Sequence, residues 1–386
     1  MSARPMLRYL PLLAAGLLLG GCSTLDALNP FSSSAPKMTK LTEIKTSAEV
    51  RSLWSASIGK AENYSFTPAV VDDVVFVAGR KGSVSRIENG QTVWKIDAGQ
   101  KLSAGVGANN RLVVVGTEKG DVLAFAAADG KPLWQAKASS EVLAAPVVGD
   151  DGVAVRSGDN RVFLFDAIDG ERKWVYQRPT PTLAVRGAGS PVFADRYLFV
   201  GFPGGKLVAL ALQNGAQLWE GTVAQPKGAT ELDRVADVVA PPAVDGRQIC
   251  AVAFQGKIAC FDMGQGGALV WSRDLSSANG LALDGRYLFV TDDQGAVHAL
   301  DRLSGSSLWK QDKLLKRGVS RPAVRRGLLA VADSEGIVHF LTREDGSFAA
   351  RVKTDGSPVR NGALLPFGGG FLVQTADGDI RAFEAQ

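Results

Sequence analysis

Residues 145–175 read APVVGDDGVAVRSGDNRVFLFDAIDGERKWV. The segments 145–148, 153–155, 162–165 and 172–175 predict four short strands. β-Branched and aromatic residues are frequent in these segments, and pairs of Gly, Asp or Asn separate them at the spacing typical of antiparallel hairpins. The stretch therefore predicts one four-stranded antiparallel unit.

The same pattern recurs along the chain with a period close to 40 residues. All seven tryptophans occupy the place that Trp174 has in this unit, and six of them follow a glycine by four residues. They are Trp54, Trp94, Trp134, Trp174, Trp219, Trp271 and Trp309. A period of this size indicates a modular array whose units bury their faces against their neighbours. We therefore assign the tryptophans to packing between units rather than to a ligand cage.

The turn between the second and third strands occurs eight times. Its last residue is glycine in seven units and asparagine in one, the residue types that accept a positive φ in a tight hairpin. The eight positions are Gly82, Gly120, Asn160, Gly205, Gly256, Gly295, Gly336 and Gly378. Eight such units predict an all-β fold, an eight-bladed β-propeller of four-stranded antiparallel blades.

The two ends of the array complement each other. The last unit stops after its third strand, whereas residues 50–54 have the sequence of a fourth strand that lacks the first three. We expect this N-terminal strand to complete the eighth blade and to protect its open edge. The seventh unit has Ala350 where tryptophan is expected, so its junction with the next blade should be thinner or filled by neighbours such as Phe348.

Residues 1–21 have the features of a lipoprotein signal peptide. A positively charged start precedes a short apolar run, and Leu19-Gly20-Gly21-Cys22 resembles a bacterial lipobox. The resemblance implies cleavage before Cys22 and lipidation of that cysteine, and the alternative is an ordinary signal peptide with a chance cysteine. Ser23, in place of Asp, favours the outer membrane over the inner membrane.

The rest of the chain divides into two parts. Residues 22–45 predict a lipidated N-terminus and a flexible tether, because Ser, Thr, Pro and Lys dominate the stretch from Phe31 onwards. Residues 46–386 predict the propeller. Lys and Arg (43) nearly balance Asp and Glu (39), and no basic stripe indicates nucleic-acid binding.

The residue inventory offers little for catalysis. The two histidines, His298 and His339, occupy equivalent third-strand positions, and no nearby Cys or His completes a metal ligand set. We therefore predict no metal site, no cofactor and no catalytic residues. Cys250 and Cys260 fall on successive strands of one hairpin, and the turn length decides whether they face each other as a disulfide or stay two buried thiols.

Two links between blades are longer than the others, at residues 176–190 and 221–241. Each mixes aliphatic residues with Arg, and the second adds Asp and Glu. Such a mixture is typical of a protein-contact surface. The alternative is that the links pack on each other and cover the end of the ring. Both follow a fourth strand in neighbouring blades, so both should lie at the same end.

The units resemble the quinoprotein-type propeller repeat, for example at Ala299-Leu300-Asp301, Gly305 and Trp309. Quinoprotein dehydrogenases are longer, and they carry a cofactor cleft with calcium ligands and often adjacent paired cysteines. None of these features is evident in the sequence. A quinone-dependent dehydrogenase and a lipid-tethered propeller that binds a sugar or peptide are kept as alternative functions.

The whole chain is similar to the BamB family, the lipoproteins of the outer-membrane β-barrel assembly (BAM) machine. The likeness is most specific at 183–187 and 230–238, which are similar to the family's two interblade loops. It implies a non-catalytic lipoprotein at the periplasmic face of the outer membrane, which binds the POTRA domains of BamA and assists folding and insertion of unfolded outer-membrane precursors. The partner-binding residues implied by this likeness are Leu183, Val185, Arg186, Glu231, Asp233, Arg234 and Asp237. Val239 stands where a second acidic residue is expected, which implies the loss of one charged contact.

Overall fold

The computed structural model describes residues 38–187, 189–360 and 362–385. The predicted signal peptide, and Cys22 with it, lies outside these residues. From Thr39 onwards the chain forms one compact unit. In it, eight four-stranded antiparallel sheets stand in a ring as an eight-bladed β-propeller, which confirms the predicted fold. Within the described residues, no helix has the length and apolarity needed to span a membrane.

The strand β1 (Val50–Ser57) precedes the first blade. Blades 1 and 2 consist of β2 (Ala69–Val71), β3 (Val74–Ala78), β4 (Ser83–Glu88), β5 (Gln91–Asp97), β6 (Gly107–Ala108), β7 (Leu112–Gly116), β8 (Asp121–Ala126) and β9 (Pro132–Lys137). Blades 3 and 4 consist of β10 (Val147–Val148), β11 (Gly152–Arg156), β12 (Val162–Asp166), β13 (Arg172–Tyr176), β14 (Val192–Ala194), β15 (Tyr197–Phe202), β16 (Lys206–Ala211) and β17 (Gln217–Thr222).

Blades 5 and 6 consist of β18 (Ala243–Asp245), β19 (Gln248–Val252), β20 (Lys257–Asp262), β21 (Ala268–Asp274), β22 (Leu281–Asp284), β23 (Tyr287–Thr291), β24 (Val297–Asp301) and β25 (Ser307–Gln311), with a 3-10 turn at Met263–Gln265. Blades 7 and 8 consist of β26 (Ala323–Arg325), β27 (Leu328–Ala332), β28 (Ile337–Thr342), β29 (Phe348–Lys353), β30 (Leu364–Phe367), β31 (Gly370–Gln374) and β32 (Asp379–Ala385), and β1 completes blade 8.

Burial follows the position of each strand in its blade. Second strands such as β7 and β27 are buried along their whole length, because both of their faces pack against neighbouring blades. Fourth strands such as β9 are largely exposed and form the outer rim. The core therefore consists of apolar layers between successive blades.

The glycine that precedes most tryptophans by four residues has a packing function. Gly170 lies in the left-handed region (φ 75°), and a Cβ built on it would lie 2.6 Å from the ring of Trp134 in the preceding blade. The indole Nε1 of Trp134 donates to the Ala167 carbonyl of the same turn, at 3.2 Å. Each tryptophan thus packs on the next blade's turn, which explains why a glycine occupies that turn in each of blades 1–7.

The N-terminal strand completes blade 8, as predicted. β1 pairs antiparallel with β32, and Trp54 lies opposite Ala382, in the register that the other tryptophans have in their blades. The next turn in the ring belongs to blade 1, and its Gly90 lies against the ring of Trp54. Ring closure is therefore a non-covalent junction between the two ends of the array.

The absence of tryptophan at position 350 has a structural reason. Blade 8 has no turn between its third and fourth strands, because these strands come from opposite ends of the chain. A tryptophan at 350 would thus have no turn to pack on. Ala48 and Val50 pack against the cluster that contains Ala350. Phe348 packs in the cluster between blades 6 and 7, so the expectation that it fills this junction is wrong.

The segment before β1 lies against the ring from residue 39 onwards. Thr39 N donates to the Leu315 carbonyl at 3.2 Å, and Arg317 Nη1 donates to the Thr39 carbonyl at 2.9 Å. Arg351 also donates to the Thr42 carbonyl. The described part of the predicted tether, residues 39–45, is therefore held against blades 6 and 7 rather than flexible.

The hairpin of blade 5 contains the disulfide. Cys250 and Cys260 lie opposite each other in the register, with Cα atoms 4.1 Å apart, and their sulfurs are bonded. Ala253 N donates to the Lys257 carbonyl, so the turn between these two residues has three residues, 254–256, and this odd number is why the two cysteines face each other. This turn also differs from the other seven, because its positive φ is at Gln255 instead of Gly256.

Candidate partner-binding surface

The two extended links form one surface. The 3–4 loop (residues 177–191) joins β13 to β14, and the 4–5 loop (residues 223–242) joins β17 to β18. Within the described residues they are the longest interblade links. A hydrogen bond from Val185 N of the first loop to Asp237 Oδ2 of the second confirms that they lie at the same end of the ring. Together, the 3–4 loop and the 4–5 loop make up the two-loop surface.

Asp237 connects the two loops to each other. Its Oδ2 accepts a hydrogen bond from Val185 N at 2.7 Å, and its Oδ1 accepts one from Gly204 N at 3.0 Å. Its backbone forms an antiparallel bridge with Phe254 in the turn of blade 5. The residue is 1% exposed. Asp237, implied as a partner contact, is thus buried and acts inside the protein.

Arg156 lies behind this carboxylate. It is buried at the end of β11, and it donates to the Gly201 carbonyl and to Asn160 Oδ1, each at 2.7 Å. Burial lowers the pKa of Arg156 to about 10, and the negative charge of Asp237 opposes that shift. The guanidinium therefore keeps its charge at neutral pH and supplies a buried counter-charge for Asp237.

The 3–4 loop presents Leu183 and Arg186 to solvent, with Val185 half-buried between them. Arg186 forms a bidentate ion pair with Glu141 of the blade 2–3 link, through Nε–Oε1 at 3.0 Å and Nη2–Oε2 at 2.7 Å. Hydrogen bonding to Glu141 raises the pKa of Arg186. Glu141 was missed in the sequence because its link has an ordinary length.

The 4–5 loop contains a compact turn at residues 230–234. Thr230 N donates to Asp233 Oδ2 at 3.1 Å, and Asp233 N donates to Thr230 Oγ1 at 3.2 Å. Hydrogen bonds from the side chain and backbone of Thr230 lower the pKa of Asp233. Arg234 pairs with Glu231 at 3.2 Å. This turn presents Leu232, which is 69% exposed and was not among the predicted contacts.

A cavity of about 390 Å³ opens beside the two loops. Residues from all eight interblade links line it, so it lies on the axis of the ring. Val185 and Arg186 contribute to its wall from the 3–4 loop, and Val239 contributes from the 4–5 loop. The position where a second acidic residue was expected therefore faces the axial cavity.

The histidines form hydrogen bonds within their own blades. His298 Nε2 lies 2.8 Å from Asp292 Oδ2, and His339 Nε2 lies 3.0 Å from Asp333 Oδ2. Both carboxylates stand in the turn between second and third strands, so each histidine supports the turn of its blade. In the described part of the chain, no three His, Cys, Asp or Glu side chains are grouped as metal ligands.

Comparison with known proteins gives concordant results. The family model described as "Outer membrane protein assembly factor BamB" matches residues 80–311 and 297–386. The chain is 42% identical to the outer membrane protein assembly factor BamB of Burkholderia pseudomallei over 348 residues, which is 89% of this chain and 91% of that protein.

Solved structures agree with this relationship. The crystal structure of BamB from Moraxella catarrhalis superposes with a TM-score of 0.81 at 27% identity, covering 87% of this chain and all of that one. A quinohemoprotein alcohol dehydrogenase from Comamonas testosteroni gives a TM-score of 0.68 at 14% identity, covering 86% of this chain and 76% of the enzyme, and that likeness shows the fold alone. By sequence and by structure, the chain belongs to the BamB family of outer membrane protein assembly factors.

Proposed function

We propose that the chain is a non-catalytic scaffold of the BAM complex, and that its two-loop surface binds the periplasmic POTRA domains of BamA. The observation that carries the proposal is the hydrogen bond from Val185 N to Asp237 Oδ2, which ties the two loops together, while Gly204 N of the β15–β16 turn bonds the other oxygen of the same carboxylate. A surface fixed in this way loses less conformational entropy on binding than two independent loops would.

The chemistry of the surface suits a protein partner. Leu183 and Leu232 supply exposed aliphatic groups, while the ion pairs Arg186–Glu141 and Arg234–Glu231 place charged groups beside them. Protein interfaces typically combine a few apolar anchors with a polar rim that fixes register. The residues implied as contacts thus fall into two groups. Most of them face solvent, whereas Asp237 is buried and positions the loops that carry the others.

The proposal also includes a location and a task. A lipid on Cys22 would hold the chain at the outer membrane, facing the periplasm, where it would assist the folding and insertion of unfolded outer-membrane precursors. Membership in the family supports this role, since the relatives are named as outer membrane protein assembly factors.

Binding of the mature chain to BamA in detergent, measured by isothermal titration calorimetry, tests the proposal. Leu183→Asp and Leu232→Asp should each weaken binding about tenfold or more, since each places a charge in the apolar part of the interface. The matched control is Ile168→Asp, an exposed aliphatic position at the opposite end of the ring. Equal affinity for both loop variants and the wild type, or no binding by the wild type, would contradict the proposal.

A further inference from the structure

Residues 39–45, the N-terminal latch, are held to the ring by two arginine side chains. Arg317, in the link between blades 6 and 7, donates from Nη1 to the Thr39 carbonyl at 2.9 Å. Arg351, on β29, donates from Nη1 to the Thr42 carbonyl. Both acceptors are main-chain carbonyls, so this part of the hold depends on where the two guanidinium groups are placed rather than on the side chains of the latch.

Two further contacts complete the hold. Thr39 N donates to the Leu315 carbonyl at 3.2 Å, and the half-buried Leu41 packs against the core between blades 6 and 7. Hydrogen bonds from a charged donor are roughly twice as strong as those between neutral groups. The two arginine bonds therefore supply most of the polar part of the hold, and the latch loosens when they are lost.

A single buried pair, His339 and Asp333, positions both arginines. Arg317 donates from Nε to Asp333 Oδ2 at 2.7 Å, and the same oxygen lies 3.0 Å from His339 Nε2. Arg351 donates from Nε to His339 Nδ1 at 3.2 Å. His339 and Asp333 are fully buried, and Arg317 is 3% exposed. One imidazole ring thus lies between the two groups that hold the latch.

This arrangement fits only the neutral imidazole. Nε2 of His339 carries the proton, because the carboxylate of Asp333 only accepts, and Nδ1 is then the acceptor for the Nε–H of Arg351. A second proton on Nδ1 would set N–H against N–H and place a positive charge beside the guanidinium of Arg351. It would also strengthen the bond of His339 to the carboxylate oxygen that Arg317 shares.

The charges around His339 balance while the ring is neutral. The charged groups that face it are Asp333 of the β27–β28 turn, Arg317 of the blade 6–7 link and Arg351 of β29, and Glu335 pairs with Arg317. Two carboxylates and two guanidinium groups cancel, whereas protonation leaves one positive charge without compensation in a buried site. Arg351 is the more exposed of the two arginines, so it can relieve the excess charge by turning towards solvent, which breaks its bond to the latch.

Blade 6 contains a matched histidine outside the latch. His298 occupies the position that His339 has in blade 7, and its Nε2 lies 2.8 Å from Asp292 Oδ2. The residue opposite His298 is Lys310, whereas Arg351 lies opposite His339. A histidine–aspartate pair thus supports the turn in both blades, and blade 7 adds the arginine that bonds the N-terminal backbone.

We propose that His339 makes the latch acid-sensitive, so that residues 39–45 are held against the ring while the imidazole is neutral and are released when it is protonated. Burial lowers the pKa of His339 below its usual value, which places release on the acid side of neutral pH. Seven released residues span at most about 25 Å, so release would lengthen the predicted tether between Cys22 and the ring by up to that distance. The latch is independent of the proposed function, because every group in it belongs to this chain.

The test follows the mobility of the latch with a nitroxide label on Lys40→Cys, an exposed position, in the mature chain carrying Cys22→Ser. Continuous-wave electron paramagnetic resonance should show a restricted label at about pH 7.5 and a mobile one at about pH 5. The ratio of mobile to restricted label should rise by up to about tenfold per pH unit, the limit for release linked to one proton.

Three variants assign the response to its groups. His339→Gln keeps a donor and an acceptor but cannot be protonated, so its label should stay restricted over the whole pH range. Arg351→Met removes the bond to Thr42 and should make the label mobile already at neutral pH. His298→Gln is the matched control and should respond as the wild type does.

Four results would overturn the inference, with circular dichroism of the same samples reporting whether the ring is folded. These are a wild-type label that ignores pH, an unchanged response in His339→Gln, a lost response in His298→Gln, and mobility that rises only together with unfolding of the ring. Should His339→Gln not fold, Arg351→Met decides, because a label that stays restricted in that variant at neutral pH would contradict the latch.

Discussion

At the scale of single residues, Asp237 shows how the sequence and the structure contribute differently to the site. The length and composition of the loops selected two segments that the structure places at one end of the ring, and resemblance to the family selected a charged residue within one of them. Its burial and its bonds to Val185 N and Gly204 N come from the folding of blades 3, 4 and 5 around it. Arg156, one blade away, carries no sequence pattern that links it to either loop.

Replacing Asp237 with Asn tests this internal role. The variant removes the negative charge beside Arg156 and directs an amide N–H₂ toward a backbone N–H, so unfolding should require about 1–3 kcal/mol less free energy. BamA binding should weaken as well, although residue 237 is buried. Urea denaturation and calorimetry measure the two effects, and Glu231→Gln in the exposed turn is the control that should leave stability unchanged. If Asp237→Asn unfolds at the same urea concentration as the wild type, the carboxylate does not join the loops.

His339 gives a second prediction at this scale, on the pH dependence of stability. It is fully buried, its Nδ1 accepts a hydrogen bond from Arg351 Nε at 3.2 Å, and its Nε2 faces Asp333. Burial lowers the pKa of His339 below 6.5, although the hydrogen bond to Asp333 opposes the shift. The folded state thus favours the neutral ring. The stability that this preference contributes is complete above the pKa that the ring has in the unfolded chain, and it is lost as the pH falls below that value.

The unfolding free energy should therefore decrease between about pH 7.5 and pH 5.5, with more protons bound in the unfolded state. His339→Gln keeps a polar side chain but cannot be protonated, and it should flatten the slope over this interval while lowering stability at pH 7.5. Urea titrations at several pH values measure both quantities. An unchanged slope in His339→Gln would assign the pH dependence to other groups.

At the scale of elements, periodicity predicted the strands well because each strand is short and bounded by turn residues. Two details of the elements depended on contacts that periodicity does not encode. The turn at 254–256 has its positive φ at Gln255, beside Phe254, which pairs with Asp237 of the distant 4–5 loop. Residues 39–45 have the composition of a tether, yet arginines of blades 6 and 7 hold their backbone.

The disulfide of blade 5 stabilises the hairpin whose turn bonds Asp237. It joins β19 to β20, the two strands on either side of that turn. The double variant Cys250→Ala, Cys260→Ala should lose about 2–4 kcal/mol of stability. It should also weaken BamA binding, because the turn bearing Phe254 becomes more mobile. Thermal melting with and without reductant measures the first effect, and a wild type that melts identically under both conditions would contradict it.

At the scale of the whole molecule, the ring is closed by a junction without covalent continuity. β1 pairs with β32 from Val50↔Ala385 to Ser57↔Asp379, and Trp54 packs on the turn of blade 1. The sequence allowed this closure to be predicted because an unfinished last unit and an isolated fourth strand complement each other. The sequence did not reveal why position 350 lacks tryptophan. The reason is that the neighbouring blade 8 has no turn between its third and fourth strands, so a tryptophan there would have nothing to pack on.

Deleting residues 46–58 should therefore open the ring. The variant loses β1, exposes the edge of β32 and removes Trp54, whose burial alone contributes at most about 4–6 kcal/mol. Melting should become less cooperative, and the midpoint should fall by about 10 °C or more. Deleting residues 39–45 instead removes the contacts to Arg317 and Arg351 but keeps β1, so it should cost much less. Equal melting midpoints for the two deletions would mean that β1 stabilises the propeller no more than residues 39–45 do. In that case, closure by β1 would not hold the eight blades together.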